Sequence, residues 1–253
     1  MNRVCVVTGS SSGIGAATAR LFAENGWNVG INFSREAGPA EDVASECREK
    51  GAETIVIQAD VSVDSDCRRF ASQINAKWGR CDVLVNNAGT TKFVDMSNLD
   101  GLSADDFQKI YAVNVIGAFQ VTRAFVPLLK NSLQPGVVNV SSIAAHLGTG
   151  SSMAYAASKG ALNTLTLTLA QVLGPSIRVN AVAPGLVESP WLRKGLGEER
   201  FEVQKRIYKS KSILDAVIAP EDVAATIYWL GVGATKTTGE IQLIDAGRRI
   251  SAR

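Results

Sequence analysis

Short apolar runs alternate along the chain with longer segments in which apolar residues recur at helical spacing. Each run is rich in β-branched residues and ends at a polar residue or glycine, a pattern typical of strands buried on both faces. The predicted strands are Val4–Val7, Asn28–Asn32, Thr54–Ile57, Val83–Val85, Val137–Val140, Arg178–Val182 and Ile241–Ile244. The predicted helices are Ala16–Ala23, Ala37–Lys50, Asp64–Trp78, Ser103 through Asn114 towards Leu129, Tyr155–Leu173 and Pro220–Leu230. This alternation predicts an α/β fold, a doubly wound parallel sheet of about seven strands with helices on both faces.

Composition narrows the function classes. The chain has 253 residues, with 26 lysines and arginines against 24 acidic residues, so its net charge of +2 gives no footprint for nucleic acid or an anionic membrane. No linker, repeat or low-complexity run divides the sequence, and we expect one domain over residues 1–253. The four cysteines form no C-x-x-C pair and His146 is the single histidine, so no metal site is expected.

The same features favour a cytoplasmic location. The first predicted strand begins at about residue 3, which leaves no room for a signal peptide. Unpaired cysteines are typical of a reducing compartment. No apolar stretch reaches about 18 residues without polar interruption, so no membrane span is predicted.

A glycine-rich turn, residues 8–15, lies between the first strand and the first helix. Its spacing is Gly9-x-x-x-Gly13-x-Gly15. At a strand-to-helix turn a pyrophosphate can meet free backbone N–H groups and the positive end of the helix dipole. Glycine permits positive φ and close backbone approach there. The turn alone is weak evidence, because glycine- and serine-rich runs are usually ordinary loops.

A second group of residues carries candidate chemistry. Tyr155 and Lys159 are four residues apart near a helix start and therefore share a helix face. A nearby ammonium favours the phenolate and should lower the tyrosine pKa from its usual value of about 10. Such a tyrosine can donate or accept a proton as an acid/base. Ser142 at a strand end can hold a substrate oxygen, and Asn114 within a helix predicts a bend or a held water. The alternative interpretation is a core tyrosine beside a lysine with its amine at the surface.

These motifs occur together, and the chain resembles the short-chain dehydrogenase/reductase family in its compact single-domain branch. The resemblance rests on Thr8-Gly9-x-x-x-Gly13-x-Gly15, Asn86-Asn87-Ala88-Gly89, Asn114, Ser142, Tyr155-x-x-x-Lys159 and Pro184-Gly185, in family order and spacing. It implies a Rossmann-like fold and an NAD(P)-dependent oxidoreductase that interconverts an alcohol and a carbonyl by hydride transfer.

The resemblance also implies residue roles. Tyr155 is the expected general acid/base, Lys159 holds the nicotinamide ribose and lowers the tyrosine pKa, Ser142 orients the substrate, and Asn114 anchors the water of a proton relay. The expected cofactor-binding residues are Gly9, Ser11, Ser12, Gly13, Ile14, Gly15, Phe33, Ser34, Arg35, Asp60, Val61, Asn87, Ala88, Gly89, Tyr155, Lys159, Pro184, Gly185, Val187 and Ser189.

The end of the second strand favours NADP(H) over NAD(H). It reads Asn32-Phe33-Ser34-Arg35 and lacks the acidic residue that accepts from a ribose 2′-hydroxyl. Ser34 and Arg35 can bind a 2′-phosphate instead, since guanidinium pairs well with phosphate. The alternative is that Arg35 is a solvated loop charge, and Glu36 beside it supports that alternative.

The substrate side is less defined. Residues 186–219 correspond to the family's variable lid, in which Trp191 and Phe201 accompany many basic residues. A small-molecule alcohol or carbonyl substrate, such as a sugar, polyol or small ketone, ranks above a carrier-protein-linked 3-oxoacyl substrate, because Gln171 occupies a helix position where a basic residue would serve docking. A non-catalytic NADP-binding redox sensor and a purely structural protein are the other classes considered. The resemblance further implies a homotetramer or homodimer.

Overall fold

The computed structural model describes residues 2–252 and contains one seven-stranded parallel sheet. The strand order is β3-β2-β1-β4-β5-β6-β7, with every neighbouring pair parallel. The strands are β1 Val4–Val7, β2 Asn28–Phe33, β3 Thr54–Gln58, β4 Val83–Asn86, β5 Gly136–Val140, β6 Arg178–Pro184 and β7 Ile241–Ile244. The predicted fold class is confirmed, and the observed strand order reverses between β1 and β4, the crevice where open α/β sheets bind ligands.

Helices cover both faces of this sheet. Their bounds are α1 Gly13–Glu24, α2 Gly38–Glu49, α3 Asp64–Trp78, α4 Ala104–Tyr111, α5 Ala118–Leu129, α6 Ala144–Leu147, α7 Met153–Leu173, α8 Pro190–Leu196, α9 Glu198–Lys211 and α10 Pro220–Tyr228. One buried cluster joins the sheet to α1, α2 and α10, and a second joins it to α3, α5 and α7. Because all neighbouring strands are parallel, their carboxyl ends lie along one edge of the sheet.

Several predicted boundaries need correction by one to three residues. Helix α1 begins at Gly13 rather than Ala16, because the glycine turn leads directly into its first turn. Helix α7 begins at Met153, where the Ser152 hydroxyl accepts from the Tyr155 N–H as an N-cap. Helix α10 changes to a π-helical stretch at Trp229–Gly233 instead of continuing regularly to residue 230.

The helical stretch Ala104–Leu129 corrects the expectation that no segment is long and apolar enough to span a membrane. It meets that criterion by length and composition alone, with 44% of its apolar window buried inside the protein. Core helices of water-soluble proteins meet the same criterion, and α5 packs against β4 and β5. The buried half of this stretch therefore serves the core of the sheet.

Candidate active site

The glycine turn places backbone where side chains cannot fit. Gly9 and Gly13 have φ values of +59° and +53°, in the left-handed region that favours glycine. A Cβ on Gly15 would lie 2.5 Å from both the Asn87 side-chain nitrogen and the Gly9 carbonyl oxygen. Glycine is therefore required at position 15 by close packing, and at positions 9 and 13 by backbone conformation.

Hydrogen bonds from two neighbouring strands hold this turn. The Asn87 amide donates to the Thr8 and Gly9 carbonyl oxygens at 2.9 and 2.8 Å, and the Thr8 hydroxyl accepts from the Asn87 and Ala88 N–H groups at 3.0 Å each. The Asn32 side-chain oxygen accepts from the Gly9 N–H at 3.0 Å, while its amide donates to the Ala59 carbonyl at 3.0 Å. The turn is thus fixed before any ligand binds.

Thr8 and Asn32 are site residues that the sequence prediction missed. The sequence motif includes Thr8 without predicting a role for it, and it predicts Asn32 only as a non-acidic residue at the end of the second strand. Their positions at the ends of β1 and β2 were the available signal, since parallel strands end at one edge of the sheet.

The N-terminus of α1 fits the pyrophosphate of a dinucleotide. Its N-cap Ser12 adopts extended backbone and makes no side-chain capping bond, and no acidic residue lies in the first turn. The first-turn N–H groups of Gly13, Ile14 and Gly15 therefore lack a side-chain cap, while Ser11 and Ser12 are accessible beside them. An anionic ligand would satisfy these donors and meet the positive end of the helix dipole.

The residues expected to meet the adenosine lie at the ends of β2 and β3. Phe33 is buried, whereas Ser34 and Arg35 are exposed, and within residues 2–252 the Arg35 guanidinium forms no hydrogen bond or ion pair. Asp60 is exposed and its carboxylate accepts from the Ser62 N–H and hydroxyl at 2.9 and 2.7 Å. Val61 is buried, and its carbonyl accepts from the Gln120 side chain.

The residues expected to line the nicotinamide lie at the end of β6 and in the segment after it. Pro184 is the last residue of that strand, and the Gly185 N–H donates to the Ile244 carbonyl at 2.8 Å. Val187 is buried and bridges in parallel to Ile218. Ser189 caps α8 through its hydroxyl, and a Cβ on Gly13 would lie 3.4 Å from its Cβ. The segment therefore runs directly past the glycine turn.

Tyr155, Lys159 and Ser142 meet at the end of β5. The Lys159 amine is buried and donates to the Val140 carbonyl at 2.8 Å, with Nζ 5.6 Å from the centre of the Tyr155 ring. The Ser142 hydroxyl accepts from the Ala144 N–H at 3.1 Å and interacts with the Tyr155 phenol. The predicted proximity of these three side chains is observed. His146, in contrast, is exposed on α6.

The expected lowering of the tyrosine pKa does not occur in this state. Burial raises the pKa of Tyr155 to about 12, and the hydrogen bond with Ser142 opposes that rise only in part. The Lys159 ammonium donates to a carbonyl rather than to the phenol oxygen, and burial lowers its own pKa to about 8. The phenol is therefore protonated at neutral pH.

Asn114 lies in a π-helical stretch, Ala112–Gly117, between α4 and α5, where the sequence predicts a bend or a held water. Its side-chain amide donates to the Thr90 carbonyl and the Ser158 hydroxyl, each at 3.0 Å, and its oxygen accepts from the Thr90 N–H at 2.8 Å. A Cβ on Gly89 would lie 3.6 Å from that oxygen and 3.7 Å from Lys159 Nζ. Both polar atoms thus border the space left open by Gly89.

The Trp191 ring lies beside Tyr155, and the Phe93 ring lies beside Trp191. Trp191 on α8 has its ring centre 6.4 Å from that of Tyr155 and 5.7 Å from that of Phe93. Phe93 follows β4 in a loop without regular periodicity, so no sequence pattern predicts its place in the site. The substrate mouth is consequently more aromatic than predicted.

Comparison with known proteins places this geometry in a family. A family model described as short chain dehydrogenase matches residues 3–199. The chain belongs to this family and is an NAD(P)-dependent oxidoreductase that acts on alcohol or carbonyl groups.

Three similar proteins cover nearly the whole chain. Ketoacyl reductase 2, named for the granaticin polyketide synthase of Streptomyces violaceoruber, is 39% identical over 98% of this chain and 96% of its own length. A 3-oxoacyl-[acyl-carrier-protein] reductase of Thermotoga maritima is 35% identical over 97% of each chain. The crystal structure of a short-chain dehydrogenase/reductase from Burkholderia xenovorans is 41% identical over 99% of each chain, with a TM-score of 0.91.

Proposed function

We propose that the protein is an NADP(H)-preferring reductase of small-molecule carbonyl compounds in which Tyr155 is the general acid. The supporting observation is the convergence of Tyr155, Ser142, Lys159 and Asn114 at the strand ends beside the glycine turn. The residues present fit a nicotinamide dinucleotide, which supplies or accepts the hydride when bound. The chain is proposed to form one dinucleotide-binding and catalytic domain, with residues 186–219 as its lid.

The protonation state of Tyr155 supports work in the reducing direction. With its pKa raised to about 12, the phenol carries its proton at neutral pH and can donate it to the oxygen of a reduced carbonyl. Ser142 holds the same oxygen through its hydroxyl, which already interacts with the phenol. The proton leaves Tyr155 Oη, and the O–H bond of the product alcohol forms.

Lys159 and Asn114 support the return of that proton. The Lys159 ammonium lies close to the Tyr155 ring and bonds the nicotinamide ribose in this proposal. Asn114 uses both amide hydrogens within the protein but has acceptor capacity left at its side-chain oxygen. A water beside Gly89 would meet both that oxygen and Lys159 Nζ, which gives the proton a path from solvent.

The preference for NADP(H) rests on Arg35. This guanidinium is exposed and unpaired within residues 2–252, next to the end of β2, where no acidic side chain accepts from a ribose 2′-hydroxyl. A 2′-phosphate would give it a strong bidentate partner. Ser34 lies beside it and adds a hydroxyl donor.

Reduction of a carrier-bound 3-oxoacyl group is the second candidate. Two of the relatives described above are named as reductases of such substrates. Residues 190–211 of the lid also contain seven lysines and arginines against three glutamates, a balance suited to an acidic carrier. Reduction of a free ketone by the purified enzyme separates this candidate from the first.

Assembly into a homotetramer or homodimer and a cytoplasmic location complete the proposal. Ile116 and Phe119, one helical turn apart, are 49% and 39% exposed, as is Leu167 on α7 at 44%. Apolar side chains of this size suit a contact with a second copy of the chain. All four cysteines are buried free thiols, which suits a reducing compartment. The mass in solution, measured by light scattering, tests the assembly.

The test of the catalytic assignment is Tyr155→Phe, compared with Arg35→Ala. The first variant should lose at least about a thousandfold in turnover, since a positioned acid contributes on this scale, while it keeps NADPH affinity. The second should weaken NADPH by about tenfold, or about 1.4 kcal/mol, and leave NADH binding unchanged. Retained turnover in Tyr155→Phe would overturn the assigned role, and equal loss of both cofactors in Arg35→Ala would overturn the NADP(H) preference.

A further inference from the structure

An aromatic surface borders the catalytic tyrosine on the lid side. It consists of Phe93 and Trp191, which we call the aromatic wall. The two rings are 5.7 Å apart between centres with an interplanar angle of 48°, and the Trp191 ring is tilted by 38° to that of Tyr155. Trp191 is 42% exposed, so a large part of its surface is accessible to a ligand.

Helix α8 fixes the position of this wall. Ser189 caps the helix and Pro190 occupies its first turn, so Trp191 is held near a defined helix start. Gly195 is one turn further along the same face, and a Cβ there would overlap the Phe93 ring. The Phe93 ring therefore packs against Trp191 and occupies the space that a side chain at position 195 would fill.

Two basic side chains of the lid pair with glutamates. Arg193 pairs with Glu198 and lies over the Phe201 ring, and Lys205 pairs with Glu188. Hydroxyls near Phe93 are also engaged, because Thr91 and Ser151 bond each other at 2.7 Å. A substrate that meets the wall therefore finds aromatic faces, which favour flat apolar groups over hydrated polyols.

The backbone beside Tyr155 adds no side chain of its own at position 150. A Cβ on Gly150 would lie 3.6 Å from Tyr155 Cδ1 and 3.2 Å from the Ala144 Cβ. The nearest side chain to this glycine, apart from the tyrosine, is therefore the methyl group of Ala144. This neighbourhood of the tyrosine ring is small and apolar, like the wall.

We propose that the aromatic wall selects ketones whose carbonyl is carried by a flat, apolar ring system, such as bicyclic aromatic ketones and the alcohols derived from them. The inference deepens the proposed function and rests on it. Trp191 and Phe93 act as specificity-determining residues: they contact the ring system while Tyr155 and Ser142 contact the carbonyl oxygen. Dihydroxyacetone and other small polyols gain no affinity from contact with the aromatic wall.

The experiment compares 1-tetralone with 2-butanone and dihydroxyacetone as substrates of the full chain. Trp191→Ala should raise KM for 1-tetralone by about tenfold and Trp191→Phe by about threefold, because each removes part of an aromatic face. Gly195→Ala should displace Phe93 and raise the same KM. With 2-butanone, KM should change by less than about twofold, and kcat should be affected little in either case. Trp229→Ala, at an exposed tryptophan outside the site, is the control.

The possible outcomes test substrate selection by the aromatic wall separately from the assignment of the protein as an oxidoreductase. Equal changes in KM for 1-tetralone and 2-butanone, or no change in KM in any variant, would overturn the proposed role of the aromatic wall. Faster reduction of dihydroxyacetone than of 1-tetralone would overturn it as well. If no ketone is reduced, the proposed function fails, and quenching of tryptophan fluorescence by 1-tetralone decides the wall directly. Quenching that is lost in Trp191→Phe supports it, and quenching that is absent or unchanged in that variant overturns it.

Discussion

The glycine turn of residues 8–15 and the lid of residues 186–219 border the same active site, yet different forces hold them. The turn is tied by hydrogen bonds to Asn32 and Asn87, so two neighbouring strands fix its backbone. In the lid, α8 contains no buried residue and α9 contains one, Phe201. Surface ion pairs such as Lys205–Glu188 contribute little to holding such helices in place.

This contrast separates two tasks of the enzyme. The cofactor presents the same pyrophosphate in every cycle, and a turn that is rigid before binding loses little entropy when the ligand arrives. The substrate side has to match one particular molecule, and exposed helices with few core contacts accept new side chains at low cost to stability. Substitutions in the turn should therefore damage cofactor binding and folding together, whereas substitutions in the lid should alter substrate recognition with a smaller effect on stability and none on cofactor binding.

The largest expected effect is that of Gly15→Ala in the turn. The added Cβ would meet the Gly9 carbonyl oxygen and the Asn87 amide, each at 2.5 Å, so the turn has to open. We expect a loss of NADPH affinity of about a hundredfold, or about 2.7 kcal/mol. We also expect a lower free energy of unfolding, by about 1–3 kcal/mol. Fluorescence titration and urea denaturation measure the two effects.

Gly38→Ala provides the matched control for that variant. Gly38 is exposed in the first turn of α2, and a Cβ there would meet nothing within 4 Å. Alanine has the higher helix propensity, so stability should be unchanged or slightly increased. Unaltered NADPH binding in Gly15→Ala would show that the turn can relax around the added methyl group. The turn would then be no more rigid than the lid.

An effect of intermediate size is expected at Lys159, whose buried amine should make the free energy of unfolding depend on pH. Its pKa is 10.5 in the unfolded chain and about 8 in the folded one. Between these values the unfolded state binds more protons, so the free energy of unfolding rises with pH. The contribution of this one group should be about 2 kcal/mol between about pH 7 and pH 9.5.

Urea denaturation of the wild type and Lys159→Met over that range measures this contribution. The upper limit stays below the range in which the raised pKa of Tyr155 begins to act in the opposite direction. The variant should lack the rise in stability, whereas Lys194→Met, at an exposed lid position, should retain it. Parallel curves for the wild type and Lys159→Met would mean that the amine is hydrated in the folded protein.

The sequence predicted the rigid side of the site well, because local constraints fix it. Strand patterning placed all seven strands, and the requirement for positive φ marked Gly9 and Gly13. The unfavourable position of an asparagine within a helix predicted a bend or a held water at Asn114, and the helix is π-helical rather than regular there. Each of these features depends on residues near one another in sequence.

The features that were missed depend on long-range packing. The Tyr155 pKa was wrongly expected to fall, since spacing along a helix gives the distance to Lys159 but not the burial that raises the pKa. Phe93 and Trp191 are almost a hundred residues apart, and only the folded lid brings them together. Hydrophobic periodicity contains no information on such a contact. For this reason the sequence predicts the substrate-binding half of the site less completely than the half that holds the glycine turn.

The smallest effect should come from Tyr208→Phe, which tests how loosely the lid is held. The Tyr208 hydroxyl donates to the Asp245 carbonyl at 2.7 Å and so links α9 to the segment after β7. Its loss should cost about 1 kcal/mol of unfolding free energy. Tyr228→Phe is the matched control, because no hydrogen bond of its hydroxyl occurs within residues 2–252. We expect KM for ketones to rise in Tyr208→Phe while NADPH affinity stays constant, since only the lid loses a contact. A parallel loss of NADPH affinity would show that the lid and the glycine turn move as one unit. The two halves of the site would then be coupled, and a substitution in either half would weaken both.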